Sequence, residues 1–397
     1  MRTGAIINDT AGAGNSVAPD VVDVVALGES MVAFLPSRPG RLADVPSFER
    51  AIGGAESNVA CALAAAGHTA RWVSRVGADA FGTHVVERIA GYGVDVTSVT
   101  RDPDRPTGVY FRTAGDRGTG AHEVAYYRAG SAASAMSAET VDLSAVRACR
   151  VLHLSGITAA LSEDCRALMR TLTTPCPGRP LLSFDVNHRP ALWNTADRPL
   201  ELLDLARRAD IVFVGEDEAE EAWGITGGPA AIRATLPEPG VLVVKQGGKG
   251  ATAFEGNGAR VPAPSAGGRA AEVAGAPPRW GSLPLERSRG RGRAAADGTP
   301  PPPAFEPAPN VAVVATTGAG DAFAAGFLSG TLRGLPVRDR LRHGHLFAAA
   351  ALTAPGDLAA PPARDHADRL SALDDTAWGR LRLGPGWTRA AQEASTP

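Results

Sequence analysis

The sequence predicts an α/β fold: a central, mostly parallel sheet with helices on both faces, and a small second β-sheet beside it. Three observations carry that prediction. From residue 151 onward, short apolar runs alternate with helical patterns, at 151–154, 181–186, 197–208, 211–214, 216–223 and 241–245. Such alternation belongs to parallel sheets covered on both sides. Between Thr107 and Arg128, β-branched and aromatic residues (Val109, Tyr110, Phe111, Val124, Tyr126, Tyr127) flank a glycine-rich turn at 115–120, a hairpin signature outside the alternation. Finally, 397 residues suffice to bury a large core, in one big α/β domain with an appendage or in two domains.

The elements follow in chain order. Residues 1–20 are rich in Gly, Ala, Asn and Asp and lack periodicity, so they read as a disordered tail. Val21–Ala26 is a buried first strand, ending at Gly28-Glu29. Residues 37–50 are mixed and extended, and with the hairpin they make up the small sheet, about 37–50 and 105–128. Asn58–Ala66 is a helix of small residues stopped by Gly67. Trp72–Val76 reads as a strand and Phe81–Tyr92 as a helix. The last segment, 311–353, carries a strand (Val311–Val314), a glycine turn and two alanine-rich helices. Residues 263–309 break the pattern with Pro, Gly, Ala and Arg and read as a disordered insertion. Within it, RSRGRGR at 287–293 is expected to be solvated linker rather than an RNA contact. The main domain thus spans 21–360, with 361–397 as a C-terminal extension.

Composition narrows the function. Hydrophobic residues make up 44% and charged residues 21%, and the net charge is −2. No overall field draws this chain to nucleic acid or to an acidic membrane. Four cysteines (Cys61, Cys149, Cys165, Cys176) show no metal or disulfide spacing, so reduced thiols and a cytoplasmic location are expected. No signal peptide is expected from the first 20 residues, and no apolar run approaches a bilayer span.

The chemistry concentrates in Thr316-Thr317-Gly318-Ala319-Gly320-Asp321-Ala322-Phe323. Glycines let backbone N–H groups converge on one point, and the following helix adds the positive end of its dipole. That is an anion site suited to a phosphoryl group in transfer. Asp321 at its mouth is placed to take a proton from an attacking hydroxyl. A glycine turn with an N-terminal Asp is also a common structural device. A second stretch, Gly53-Gly54-Ala55-Glu56-Ser57-Asn58, opens the first long helix in the same way, and Asn58 brings both a donor and an acceptor.

Together these motifs resemble those of the ribokinase-like (PfkB) sugar kinases, over about residues 21–262 and 311–360. GGAESN at 53–58 and TTGAGDAFAAGF at 316–327 stand in the family's order, with Gly67, Gly77 and Asp79 between them. Within the family, YYRAGSAAS (126–134), HLSGITAAL (153–161), SFDVNHRPALW (183–193) and VFVGEDEAEEAWG (212–224) look like the 2-keto-3-deoxygluconate kinases. The resemblance implies a sugar acid bound between the main domain and a β-sheet lid, phosphorylated by ATP with Mg²⁺ to its 6-phosphate. It implies Asp321 as base and Gly318, Ala319 and Gly320 as anion hole. It places Gly53, Gly54, Asn58, Tyr110, Arg112 and Arg128 at the sugar, and Arg189 on its carboxylate, where a guanidinium offers two parallel bonds. Lys245, Gly247 and Gly250 fall near the nucleotide. Glu218 falls where a glutamate organises magnesium-bound water. Homo-oligomers through the lid are a further implication.

Departures from the family pattern are Ala315 in place of Asp, which makes a monovalent cation doubtful, Gly215 in place of Asn, and Phe347 where Asn often lies near adenine. His153 reads as a core histidine, and His188 carries no assigned role. The competing readings are a kinase for a neutral sugar such as fructose or ribose, and a non-catalytic sugar- or nucleotide-binding relative.

Overall fold

A computed structural model describes residues 19–38, 40–113, 124–193, 198–256, 260 and 301–389. The expected tail (but for its last two residues), the turn at 115–120 and most of the expected insertion lie outside the described residues.

The chain begins with β1 (Val22–Leu27) and passes directly into β2 (Met31–Pro36) and β3 (Phe48–Gly53). Then follow α1 (Ala55–Ala65), β4 (Ala70–Gly77), α2 (Ala80–Ala90), β5 (Val99–Asp102), β6 (Val109–Arg112) and β7 (Val124–Tyr127). The alternating half comprises α3 (Leu143–Arg147), β8 (Cys149–Ser155), α4 (Gly156–Ala160), α5 (Glu163–Thr173), β9 (Leu181–Asp185) and α6 (Arg198–Arg207). It continues through β10 (Ile211–Gly215), α7 (Glu216–Trp223), α8 (Gly228–Thr235) and β11 (Val241–Lys245).

Among the described residues, nine strands form the main sheet, including β12 (Gly250–Glu255) and β13 (Ala304–Pro307), in the order β13-β12-β11-β10-β9-β8-β1-β4-β5. The strands from β11 to β5 pair in parallel, whereas β12 and β13 are antiparallel. Continuous apolar runs such as Ile211–Val214 are fully buried, as a sheet covered on both faces requires. One face packs on α3 to α8 through Leu152, Leu154, Phe184, Val212 and Val244. The other packs on α1 and α9 (Ala319–Leu332) through Val24, Phe213, Val243, Phe323 and Phe327. The small residues of α1 and α9 let the two helices pack closely against each other.

The lid is a second sheet, β3-β2-β6-β7. Its first half differs from the expected range 37–50. The strands are β2 and β3, and 37–47 only connects them, because β2 continues the apolar run of β1 after a break at Gly28-Glu29. The expected hairpin is present as antiparallel β6 and β7. Asp79 fixes the lid to the main sheet. It caps α2 by accepting from the Gly82 N–H at 2.7 Å, and its other oxygen accepts from the Thr107 N–H at 2.9 Å.

A second correction concerns the end of the chain. Val311–Val314 is no central strand. Only β14 (Asn310–Val311) forms, and it pairs with β15 (Arg382–Leu383). Val313 and Val314 are exposed. The last strand of the main sheet is instead β13, inside the range expected to be the insertion. The proline run before it and Pro307 at its end hid it, and an edge strand tolerates such a proline. After α10 (Val337–Leu352), α11 (Arg364–Ser371) and α12 (Asp375–Arg380) pack on α10 through Leu346, Ala350, Ala367 and Trp378. No described helix is long and apolar enough to cross a membrane.

Candidate active site

Between the lid and the C-terminal edge of the sheet lies a cleft of about 520 Å³. Residues from 29 to 357 line it, and most of the predicted site residues meet there: Gly53, Gly54, Asn58, Tyr110, Arg112, Arg128, Arg189, Glu218, Lys245, Gly318, Gly320 and Asp321. Ala319 lies in the same turn but does not line the cleft. Gly247 lies in the β11–β12 turn and Gly250 begins β12; neither lines the cleft.

The turn before α9 places Asp321. Gly318 caps the helix with φ 77°, a left-handed conformation that favours glycine. A β-carbon there would also overlap the carbonyl of Asp357. Asp321 sits in the first turn of α9, and its Oδ2 accepts from Asn58 Nδ2 at 2.8 Å. The two sequence motifs therefore join at their functional residues. Burial pushes the Asp321 pKa up to about 7, with Asp185 acting in the same direction. The Asn58 hydrogen bond, Arg189 and Lys245 pull it back down. A carboxylate titrating near neutrality can accept a proton with a useful driving force. Asn58 Oδ1 is buried without a partner among the described residues.

The lid wall carries two arginines, each against a buried carboxylate that the sequence reading missed. Arg112 Nη2 lies 2.9 Å from Asp357 Oδ1, and its Nη1 donates to Thr317 Oγ1 at 3.0 Å. The Tyr110 hydroxyl donates to the other Asp357 oxygen. Burial raises the Asp357 pKa, while Arg112 and Tyr110 oppose it. Gly53 packs directly beneath: a β-carbon there would overlap the Tyr110 hydroxyl. Arg128 pairs with Glu29, whose other oxygen accepts from Ser131 Oγ at 2.6 Å. Glu29 and Asp357 lie 99 and 245 residues from their arginines in sequence, so no local pattern announces them. The only cues were their positions, after Gly28 at the end of the first strand and after Gly356.

On the sheet wall, Arg189 is half exposed, and its side chain lies 3.9 Å from Glu218. Lys245 donates to both oxygens of Asp185. Glu218 Oε2 accepts from the Gly215 N–H at 2.6 Å, at the start of α7. Among the described residues, no group of three or more His, Cys, Asp or Glu could cage a metal. Of the carboxylates that line the cleft, Glu218 on the sheet wall suits Mg²⁺, which keeps several of its waters and meets the protein through few carboxylates.

Residues with other expectations also have places. His153 is a buried core residue bonded to Ser183, and burial lowers its pKa to about 3. Phe347 packs in the core between α10 and the sheet. Cys61, Cys149 and Cys165 are buried free thiols, and Cys176 is exposed.

Known proteins share this chain's sequence pattern and fold. A model of the pfkB family of carbohydrate kinases matches residues 22–276 and 303–364. The 2-dehydro-3-deoxygluconokinase of Bacillus subtilis (strain 168) is 32% identical over 357 residues, 88% of this chain and 96% of that protein. The one from Thermoproteus tenax is 34% identical over 249 residues, 62% of this chain and 75% of that protein. Among solved structures, a PfkB protein from Polaromonas sp. JS666 matches with a TM-score of 0.68 at 28% identity, covering 87% of this chain and 99% of its own. With its ribokinase-like sheet, its lid and both glycine motifs, the chain belongs to the pfkB family of carbohydrate kinases.

Proposed function

We propose that this carbohydrate kinase phosphorylates a small sugar acid, 2-dehydro-3-deoxygluconate (2-keto-3-deoxygluconate) foremost, with MgATP, forming the 6-phosphate. One observation supports the reading above the rest. A carboxylate with a pKa near 7 stands at the mouth of a glycine turn, in a cleft that also holds the half-exposed Arg189.

In this reading the acceptor hydroxyl lies against Asp321. Asp321 takes its proton as the oxygen attacks the γ-phosphorus, and ADP leaves with the electrons of the broken P–O bond. N–H groups of the 318–320 turn stabilise the charge on the transferring oxygens. Arg189 holds the substrate carboxylate, while Asn58, Tyr110, Arg112 and Arg128 surround the sugar. Glu218 would hold Mg²⁺ through water, and the ion would neutralise phosphate charge. Two relatives that match over most of their own length are named as kinases of this sugar acid.

A screen of sugars and sugar acids with MgATP, read by ADP release, tests the substrate. A neutral sugar turned over faster than every acid would reject the assignment. Replacing Asp321 with Asn should lower kcat by about 10³-fold, and near-normal turnover would reject the base. The parent's kcat/KM should rise with pH through about 7 and then level off. Because folding raises this carboxyl from its ordinary 3.8, its ionisation costs stability as pH climbs between those values. The Asn variant should therefore melt no lower than the parent at pH 8.

A further inference from the structure

Lys245 and Asp185 meet across the C-terminal edge of the sheet. They end β11 and β9, with β10 between. Asp185 is in register with Phe213, and Lys245 with Gly215. The intervening strand thus finishes in a residue with no side chain to separate the two. Lys245 Nζ lies 3.1 and 3.2 Å from the Asp185 oxygens, and Asp185 is 2% exposed. The same nitrogen lies 3.6 Å from the place a β-carbon on Gly320 would take. The ammonium therefore rests against the second glycine of the turn, with Glu218 farther off at 4.0 Å. Burial opposes its charge, but Asp185 and Glu218 outweigh burial and keep it protonated. A lysine stem is flexible and its head is a point charge, so its placement depends on what grips it.

We propose that Asp185 is a positioning residue, whose carboxylate holds the Lys245 ammonium over the glycine turn so that the ammonium neutralises the phosphoryl oxygens during transfer. Asp185 takes no proton and touches no reacting atom. The inference rests on the turn being the phosphoryl site.

A kinetic double-mutant cycle tests it, with Asp185→Asn, Lys245→Met and the double variant at saturating MgATP and sugar acid. Each single change should lower kcat by about 10²-fold, with the sugar KM kept within about threefold. The double variant should be no slower than Lys245→Met alone. If Asp185→Asn does not fold, because it strands a buried ammonium, the double variant against Lys245→Met still decides the matter. Equal kcat supports the proposal, and a further loss beyond about threefold overturns it. An effect confined to KM, or a Lys245→Met enzyme with parental kcat, also overturns it. Asp321→Asn measured alongside separates the two readings. An active Asp321→Asn enzyme removes the phosphoryl site itself, whereas an inactive one beside an additive cycle removes only the role of Asp185.

Discussion

The two walls of the cleft hold their arginines in opposite circumstances. On the lid, Arg112 is buried and Arg128 largely so, each beside a carboxylate (Asp357 and Glu29) that is itself 8% exposed or less. On the sheet wall, Arg189 is half exposed: it donates to the neighbouring His188 carbonyl at 3.0 Å and has a long contact of 3.9 Å with one carboxylate, Glu218. A buried pair fixes the direction of its hydrogen bonds but cancels its own charge. A loosely held guanidinium keeps its charge for an incoming anion. In the proposed function, the lid wall would supply shape and the sheet wall selectivity for a carboxylate.

Three substitutions probe that contrast, from the largest effect to the smallest. Asp357→Ala leaves Arg112 buried and uncompensated, and should cost about 3–5 kcal/mol of stability. Denaturant unfolding measures this, and a loss below about 1 kcal/mol would show that the lid pair is not a fixed element. Arg189→Ala should leave the melting temperature unchanged and raise KM for a carboxylated sugar by about 10–100-fold, the worth of a charged hydrogen bond. Steady-state kinetics with matched acid and neutral sugars would read it, and an equal rise for both would erase the contrast. Arg189→Lys keeps the charge but loses the planar fork, so its KM should rise only several-fold, between the parent and the Ala variant.

How much of this was legible in the chain follows from how local each signal is. The alternating half was readable because an α/β layer writes apolar runs and helical spacing into contiguous residues, as in Ile211–Val214 and Glu216–Trp223. Both glycine motifs were readable because each is a single turn. Asp357, Glu29 and Asp185 were not, because a carboxylate's partner is chosen by the fold and not by its neighbours. The last strand was misread for a different reason. Val311–Val314 has β-branched composition but only the two-residue β15 to pair with, whereas Ala304–Pro307 has poor composition and a waiting edge in β12. Pairing opportunity outweighed propensity.

That outer strand also shapes how the molecule meets other molecules. The carbonyls of Glu306 and Pro307 are taken by side chains, His345 Nε2 at 3.0 Å and Trp378 Nε1 at 2.9 Å. Burial keeps the His345 pKa at about 4, so this cover does not depend on protonation at neutral pH. A side-chain seal of this kind denies a foreign strand its template. Trp378 lies in α12, after the last cleft-lining residue, so a chain cut at 360 would keep its cleft-lining residues and lose part of its protection against edge-to-edge aggregation.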